Sequence, residues 1–225
     1  MVTFDVDEFW RIHSDSTVWE KVLHLGQRKE FKSGDIIVNA GELVTGLYYL
    51  ASGIVNMKRT SWDGAEKIIM YVEQNSLFSE TPFFIKRPIR SSFTCYDDAV
   101  VYFFPHETVD EMIVVYPEIA KDIIRALSEK LSVVSNQSAS LGLDTIDQRI
   151  IKFILLRYNS MSLRENEVIS LGALRMKDIA SILGVHRATL YKSLKELERN
   201  GLIELLSKNK LKLLDVEKLS TLAYE

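Results

Sequence analysis

The feature that most constrains the fold is an abrupt change of hydrophobic periodicity at Pro117. Before it, short runs of β-branched and aromatic residues are separated by glycines that recur every 5 to 11 residues. These are Gly34, Gly41, Gly46, Gly53 and Gly64. Short strands with regular turn signals are typical of a small β-roll. After Pro117 the apolar residues recur with the period of a helix. We therefore predict an α+β fold in which a jelly-roll-like β-roll precedes a helical half. Asp63-Gly64 further predicts a hairpin with a type I′ turn.

The segment PEIAKDIIRALSEKLSVVSNQSASLGL, which starts at Pro117, predicts one helix of roughly 25 residues, whereas the usual length is about 11 or 12. Its apolar stripe is close to a heptad seam, which predicts a parallel dimer through this helix. The alternative is a helix packed only on its own β-domain. The stripe has two sides and allows both arrangements at once, which we favour. The predicted dimerisation residues are Ile123, Leu127, Leu131, Val134 and Leu141.

Residues 176–195 read MKDIASILGVHRATLYKSLK and predict a helix-turn-helix. The small Ala180 permits close crossing of two helices, Gly184 permits a tight turn, and Leu190 anchors the second helix from behind. The sequel ERNGLIELLSKNKLKLLD reads as a helix end, a strand, a basic turn and a second strand, which is the pattern of a wing. A winged helix whose second helix enters the major groove is therefore predicted.

The first turns of the second helix carry the residues that reach base edges in such a domain. Arg187 can pair bidentately with a guanine, and Thr189 is short enough for a phosphate. His186 reads equally well as a base contact or as the residue that caps the helix. Other lysines are interpreted as phosphate contacts. The complete predicted DNA-binding set is Lys177, His186, Arg187, Ala188, Thr189, Lys192 and Lys208.

The distribution of charge agrees with a polyanion partner. The net charge is −3, but residues 172–212 alone hold 9 Lys and Arg against 4 Asp and Glu. A local basic segment on an acidic protein favours one nucleic-acid-binding face over general stickiness.

Composition also excludes several classes of function. Cys95 is the only cysteine, so neither an intrachain disulfide nor a four-cysteine cluster can form, and we interpret the thiol as packed and inert. The four histidines are scattered, with no metal-ligand pattern. No apolar run has the roughly 18 residues of a membrane helix, and the acidic N-terminal stretch is unlike a secretory signal. We expect a cytoplasmic protein with no membrane partner.

A β-roll, a long helix and a winged helix, in that order, resemble the Crp/Fnr family of bacterial transcription regulators. In its cyclic-AMP-binding members a Gly-Glu is followed, ten residues after the acid, by an Arg-Ser pair. Glu80 and Arg90-Ser91 match this spacing here. The resemblance implies that Arg pairs with a phosphate and that Glu accepts a ribose hydroxyl. The Thr-Ser pair that those members place against the base corresponds to Val134-Ser135.

The departures from that pattern concern the backbone and the base. Ser79 stands where the cassette has glycine, Asn75 stands at the preceding glycine, and Pro82 replaces a common glycine. The implied effector site is Ser79, Glu80, Arg90, Ser91, Val134 and Ser135. Three interpretations stay open: a different anionic or aromatic effector, which we place first, a cyclic nucleotide, or a merely structural pair of Glu80 and Arg90.

The resemblance also implies a domain plan, partners and an altered operator. It implies an effector-binding β-roll over 1–116, a dimerisation helix and hinge over 117–143, and a DNA-binding winged helix over 144–225. A homodimer, a double-stranded operator and RNA polymerase follow as partners, whereas the choice between a role as activator and a role as repressor stays open. The family reads DNA with Arg-Glu and a later Arg, which here become Arg187, Ala188 and Lys192. Without the Glu, the acceptor for a cytosine amino group is lost.

Two other classes of protein could combine a β-roll with a helical domain. A cupin-type enzyme would need clustered His and carboxylate ligands, which the scattered histidines do not provide. A ligand-binding protein whose helix-turn-helix contacts another protein would lack the steep salt dependence of phosphate contacts. We therefore expect no catalytic residues, no metal and no certain cofactor besides a small-molecule effector.

Overall fold

The computed structural model describes residues 11–12, 17–159, 167–171, 174–207 and 210–224. The chain divides into two compact units, one that ends at Val134 and one that begins with Ser135.

The first unit is the predicted β-roll, built from two antiparallel layers with one parallel edge strand. Its strands are β1 (Arg11–Ile12), β2 (Gln27–Phe31), β3 (Ile36–Val38), β4 (Gly46–Ser52), β5 (Ile54–Thr60), β6 (Glu66–Glu73), β7 (Ser76–Phe78), β8 (Ser92–Cys95) and β9 (Ala99–Pro105). The sheets have the orders β1-β6-β5-β8-β3 and β2-β9-β4-β7. Among the strands that the structure describes, only β1 pairs in parallel, with β6. Helices α1 (Glu80–Ile85) and α2 (His106–Val115) complete the unit together with the start of α3 (Pro117–Leu143).

The hairpin predicted at Asp63-Gly64 is present, but its predicted turn type is wrong. Strands β5 and β6 pair from Thr60 and Glu66 onward, so five residues form the loop instead of two. Gly64 has a φ of 86°, whereas Asp63 is not among the residues with positive φ. A type I′ turn needs positive φ at both central residues. The loop is instead closed by Ser61, whose backbone N–H donates to the Ala65 carbonyl.

The core of the roll is aromatic and extends onto α3. Trp19 is fully buried, stacks on Tyr49 at 5.7 Å between ring centroids, and packs against Phe104. Its Nε1–H donates to Oδ2 of Asp122 on α3 at 2.7 Å. Because this indole contacts both sheet residues and the helix, it joins α3 to the roll.

Cys95 lies on β8 within this core and is only 2% exposed. Burial, with help from nearby carboxylates, raises the pKa of its thiol to about 11. This placement agrees with the interpretation of an inert packed thiol, because the thiolate is the reactive form.

The second unit is the predicted winged helix. Beyond the end of α3 it contains α4 (Ile146–Asn159), β10 (Val168–Ser170), α5 (Met176–Leu183), α6 (Arg187–Arg199), β11 (Ile203–Leu205), β12 (Lys210–Leu213) and α7 (Val216–Tyr224). Its antiparallel sheet has the order β10-β12-β11. The single helix predicted from Pro117 is α3, which is 27 residues long.

Candidate effector site and nucleic-acid interface

The cassette around Glu80 keeps its backbone geometry although its glycines are gone. Asn75 has a φ of 65° and Ser79 a φ of 73°, both in the left-handed region that glycine adopts most easily. Ser79 immediately precedes α1, and its hydroxyl donates to the Gly46 carbonyl at 3.3 Å. The substitutions therefore preserve the path of the chain and leave Glu80 as the first residue of α1.

The carboxylate of Glu80 is not free, because it forms an ion pair with Lys130 on α3. The Nζ of Lys130 donates to both carboxylate oxygens, at 2.5 and 2.7 Å, and to the Leu77 carbonyl at 2.7 Å. The Glu80 side chain is 2% exposed and that of Lys130 is 13% exposed. The pair is thus buried and fully hydrogen-bonded, and Lys130 is a site residue that the sequence pattern missed.

A cavity of about 650 Å³ lies beside this pair, within the first unit. It is lined by β5, β6, the stretch from Ser79 to Phe93, and α3. Five of the predicted effector-site residues line it: Ser79, Glu80, Arg90, Ser91 and Val134. The sixth, Ser135, is exposed and is not among the lining residues.

Arg59, Arg87 and Arg90 line the cavity and are exposed. Neither Arg59 nor Arg87 belongs to the cassette spacing, so sequence reasoning missed both. Within the described residues, no hydrogen bond or ion pair joins any of the three guanidinium groups to a partner. In particular Glu80 pairs with Lys130 and not with Arg90. The third interpretation, a structural Glu80–Arg90 pair, is therefore wrong.

The outward face of α3 differs by one residue from the predicted seam. Ile123 is 3% exposed and belongs to the core of the roll, whereas Ile124 is 63% exposed. The prediction of Ile123 as a dimerisation residue is therefore wrong, because its side chain packs within its own chain. Leu131 is 71% exposed, and Val134 is 42% exposed. Leu127 is partly buried against the roll core.

The helix-turn-helix is formed by α5, a turn at Gly184, and α6. Gly184 ends α5 with a φ of 65°, and its N–H returns to carbonyls of the last turn. Ala180 is 3% exposed and Leu190 is 1% exposed, which fits their predicted roles at the crossing of the two helices. These buried residues fix the face of α6 that remains outside.

The exposed face of α6 carries most of the predicted DNA-reading residues. Arg187, Ala188 and Lys192 are exposed, and Thr189 is half-buried. The guanidinium of Arg187 lies 5.4 Å from the ring centroid of Tyr191, one turn further along α6. Tyr191 was missed because an aromatic residue at helical spacing is more often part of the core. Its contact limits the rotamers of Arg187 and points that side chain along the helix surface.

The remaining predicted contacts are Lys177, His186 and Lys208. His186 occupies the N-cap position of α6, but its side chain makes no capping hydrogen bond. It is exposed, as is Lys177 at the start of α5. Lys208 lies outside the described residues.

Among the described residues, no group of three or more His, Cys, Asp and Glu side chains could hold a metal ion. His106, for example, begins α2 and contacts Asp110 at 3.1 Å. The described helices include none that is long and apolar enough to cross a membrane.

Comparison with known proteins gives the same two-part division. Residues 28–116 match the cyclic nucleotide-binding domain, and residues 148–222 match the Crp-like helix-turn-helix domain. The chain is 27% identical over 189 residues to the CRP-like cAMP-activated global transcriptional regulator of Mycobacterium tuberculosis, which covers 81% of this chain and 82% of that protein.

Two solved structures share the fold. CprK complexed with OCPA has a TM-score of 0.78 at 20% identity, over 96% of this chain and 100% of that chain. The c-di-GMP responsive regulator CLP of Xanthomonas campestris has a TM-score of 0.78 at 18% identity, over 89% of this chain and 100% of that chain. With both domains matched and joined in the same order, the chain belongs to the Crp/Fnr family, whose members are effector-controlled, DNA-binding transcription regulators and not enzymes.

Proposed function

We propose that the chain acts as a homodimer that reads a two-fold operator through α6 and is controlled by a small molecule in the cavity beside Glu80. One observation carries the proposal. In the first unit, α3 lines the cavity through Leu127, Lys130, Leu131 and Val134, and the same helix exposes apolar residues that suit a partner helix. A ligand that favours one arrangement of this helix would therefore shift the dimer, and with it the DNA-binding form.

The homodimer rests on the spacing along α3. Ile124, Leu127, Leu131 and Val134 follow one another at intervals of 3, 4 and 3 residues, and Ser138 and Leu141 continue the series. Alternation of 3 and 4 is the spacing of a left-handed two-stranded coiled coil. Leu131, in the middle of the series, is 71% exposed, which a monomer would leave in water at a cost.

Leu131→Asp should convert the dimer into monomers, because it places a carboxylate in the centre of the seam. The matched control is Leu43→Asp, since Leu43 is a comparably exposed leucine, at 60%, in the loop before β4. Sedimentation at micromolar concentration measures the result. A wild-type monomer, or equal dissociation in both variants, would contradict the proposed interface.

The proposed DNA contacts divide into base readers and phosphate contacts. Arg187→Ala should weaken binding to the cognate operator by about 5- to 150-fold, equivalent to about 1–3 kcal/mol, and relax the preference at one base pair. Lys177→Ala should weaken binding to every sequence and flatten the salt slope by about one unit. Lys218→Ala on α7 removes an exposed charge away from α6 and serves as the control.

Fluorescence anisotropy measures these effects on an operator selected from a random-sequence pool. Because Ala188 replaces the carboxylate that would accept from cytosine, the selected half-site should differ from the family pattern at that base pair. Equal losses on selected and random DNA for Arg187→Ala would show that Arg187 is a phosphate contact. A flat salt response for the wild type would favour a protein partner instead.

A second candidate effector is cyclic AMP. It is favoured by the ten-residue interval between Glu80 and Arg90-Ser91 and by the name of the Mycobacterium tuberculosis relative. Calorimetry with cyclic AMP at millimolar concentration tests it directly, and Arg90→Leu should abolish any heat while the dimer persists. We further propose RNA polymerase as a partner, a role as activator, and a cytoplasmic location.

A further inference from the structure

The charge of the cavity has an unusual balance. Four cationic residues line it, namely Arg59, Arg87, Arg90 and Lys130, against the single carboxylate of Glu80. Lys130 already neutralises Glu80 through two hydrogen bonds. Three guanidinium groups therefore remain at the cavity without a partner among the described residues. Several unpaired cations around one cavity favour an anionic ligand.

The rest of the lining is mainly apolar. Of the 19 residues that line the cavity, 11 are apolar. They include Met57, Ile69, Ile89, Phe93, Leu127 and Leu131. An apolar wall favours binding of a ligand whose body has no hydrogen-bonding groups, because a polar group that is buried there without a partner loses its hydration.

Few neutral polar groups are left to recognise a sugar or a base. The lining contains three hydroxyl residues, Ser79, Thr81 and Ser91. The Ser79 hydroxyl is already hydrogen-bonded to the Gly46 carbonyl. Each oxygen of Glu80, the acceptor that a ribose hydroxyl would use, already accepts one hydrogen bond from Lys130. A ribose hydroxyl would have to share this buried carboxylate with the ammonium group of Lys130.

We infer that the cavity takes an amphipathic anion, meaning a compact anionic group held by Arg59, Arg87 and Arg90 and an apolar body packed against β5, β6 and α3. The Glu80–Lys130 pair stays closed when the ligand binds and forms part of the wall. This inference rests on the proposed function in placing the effector in this cavity, and it adds the chemical class of that effector.

Calorimetry on the full chain tests the inference with defined probes. Octanoate, decanoate and 2-naphthoate present the anionic group with an aliphatic or an aromatic body. The matched neutral probe is 2-naphthamide, and the nucleotide probe is cyclic AMP. The acids should bind, with affinity rising roughly two- to fourfold per methylene from octanoate to decanoate. The neutral amide should bind at least tenfold more weakly than 2-naphthoate.

Variants locate the binding. Arg59→Gln, Arg87→Gln and Arg90→Gln each change an exposed side chain, so the roll should fold in all three. Each should weaken acid binding at least fivefold. Lys121→Gln, which removes an exposed cation from α3 away from the cavity, should leave the affinity unchanged.

The outcomes separate this inference from the proposed function. Binding of cyclic AMP without the acids would overturn the amphipathic class and leave an effector site in the cavity. Equal binding of 2-naphthoate and 2-naphthamide would overturn the anionic requirement. Acid binding that none of the three arginine variants weakens would place the ligand elsewhere, and no binding of any probe would also overturn the class. Operator binding, measured separately by anisotropy, tests the DNA-binding function in every case.

Discussion

Replacing Lys130 by Met should destabilise the β-roll strongly, because it leaves the carboxylate of Glu80 buried without its cation. The Glu80 side chain is 2% exposed, so the Lys130 ammonium group is the main partner that compensates the charge of its carboxylate. Removing one partner of a buried ion pair costs about 3–5 kcal/mol. The loss has a ceiling of about 4 kcal/mol, since the carboxyl can take up a proton instead and protonating a glutamate at pH 7 costs about that much. We expect a loss of about 3–4 kcal/mol.

The reverse substitution should be milder. In Glu80→Gln the ammonium group of Lys130 keeps its hydrogen bond to the Leu77 carbonyl and can donate a second one to the amide oxygen. This ammonium group also reaches water, because the Lys130 side chain is 13% exposed. We expect a loss of about 1–2 kcal/mol. Combining Glu80→Gln with Lys130→Met removes both charges and should restore stability to within about 1–2 kcal/mol of the wild type, because a buried pair can often be replaced by neutral groups.

Urea unfolding followed by tryptophan fluorescence measures these changes, since Trp19 is fully buried in the same unit. Lys121→Met on the same helix is the control and should change stability by no more than about 0.5 kcal/mol. A loss below about 1 kcal/mol for Lys130→Met would refute the buried pair. Strict additivity of the two single changes would refute their coupling.

Three further predictions concern single side chains of the two units. Trp19→Phe should lower the free energy of unfolding by about 1–3 kcal/mol, because the buried Asp122 loses the indole N–H donor; denaturant titration measures it. Native protein at pH 8 should resist iodoacetamide at Cys95, since burial raises the pKa of this thiol to about 11, and unfolding should restore alkylation. Although burial opposes the ionisation of Asp144, its hydrogen bond to Lys152 lowers the carboxyl pKa below the usual value. The resulting stability is fully present above the unfolded pKa of about 3.9 and is lost as pH falls through the folded pKa, so Asp144→Asn should flatten the acid limb of the stability profile.

Patterns that are local in the sequence predicted the architecture. Each of these patterns depends only on residues that are close in the sequence. They are the short strands separated by glycines, the long helical run from Pro117, and the arrangement of Ala180, Gly184 and Leu190. Such neighbours specify hydrophobic periodicity directly. The roll, α3 and the helix-turn-helix could therefore be predicted from the sequence.

Two predictions were wrong in detail, namely which residue of α3 faces outward and which type of turn joins β5 and β6. Adjacent residues on a helix point about 100° apart, so a stripe with two apolar sides did not distinguish Ile123 from Ile124. Only packing against the roll decides that Ile123 faces inward at 3% exposure. At Asp63-Gly64 the dipeptide predicted the hairpin, but the register between Thr60 and Glu66 sets the loop length.

The chemistry of the effector cavity could not be read from the cassette alone, because its charge is a sum over distant segments. Lys130 lies 50 residues beyond Glu80, and Arg59 lies 31 residues before Arg90. The cassette spacing tests only whether the acid and the arginine are present. It does not test whether the acid is already paired with a cation, as Glu80 is with Lys130 on α3. We therefore expect that a change on α3, outside the cassette, can alter which effector this fold accepts, even when the Glu-to-Arg interval is retained.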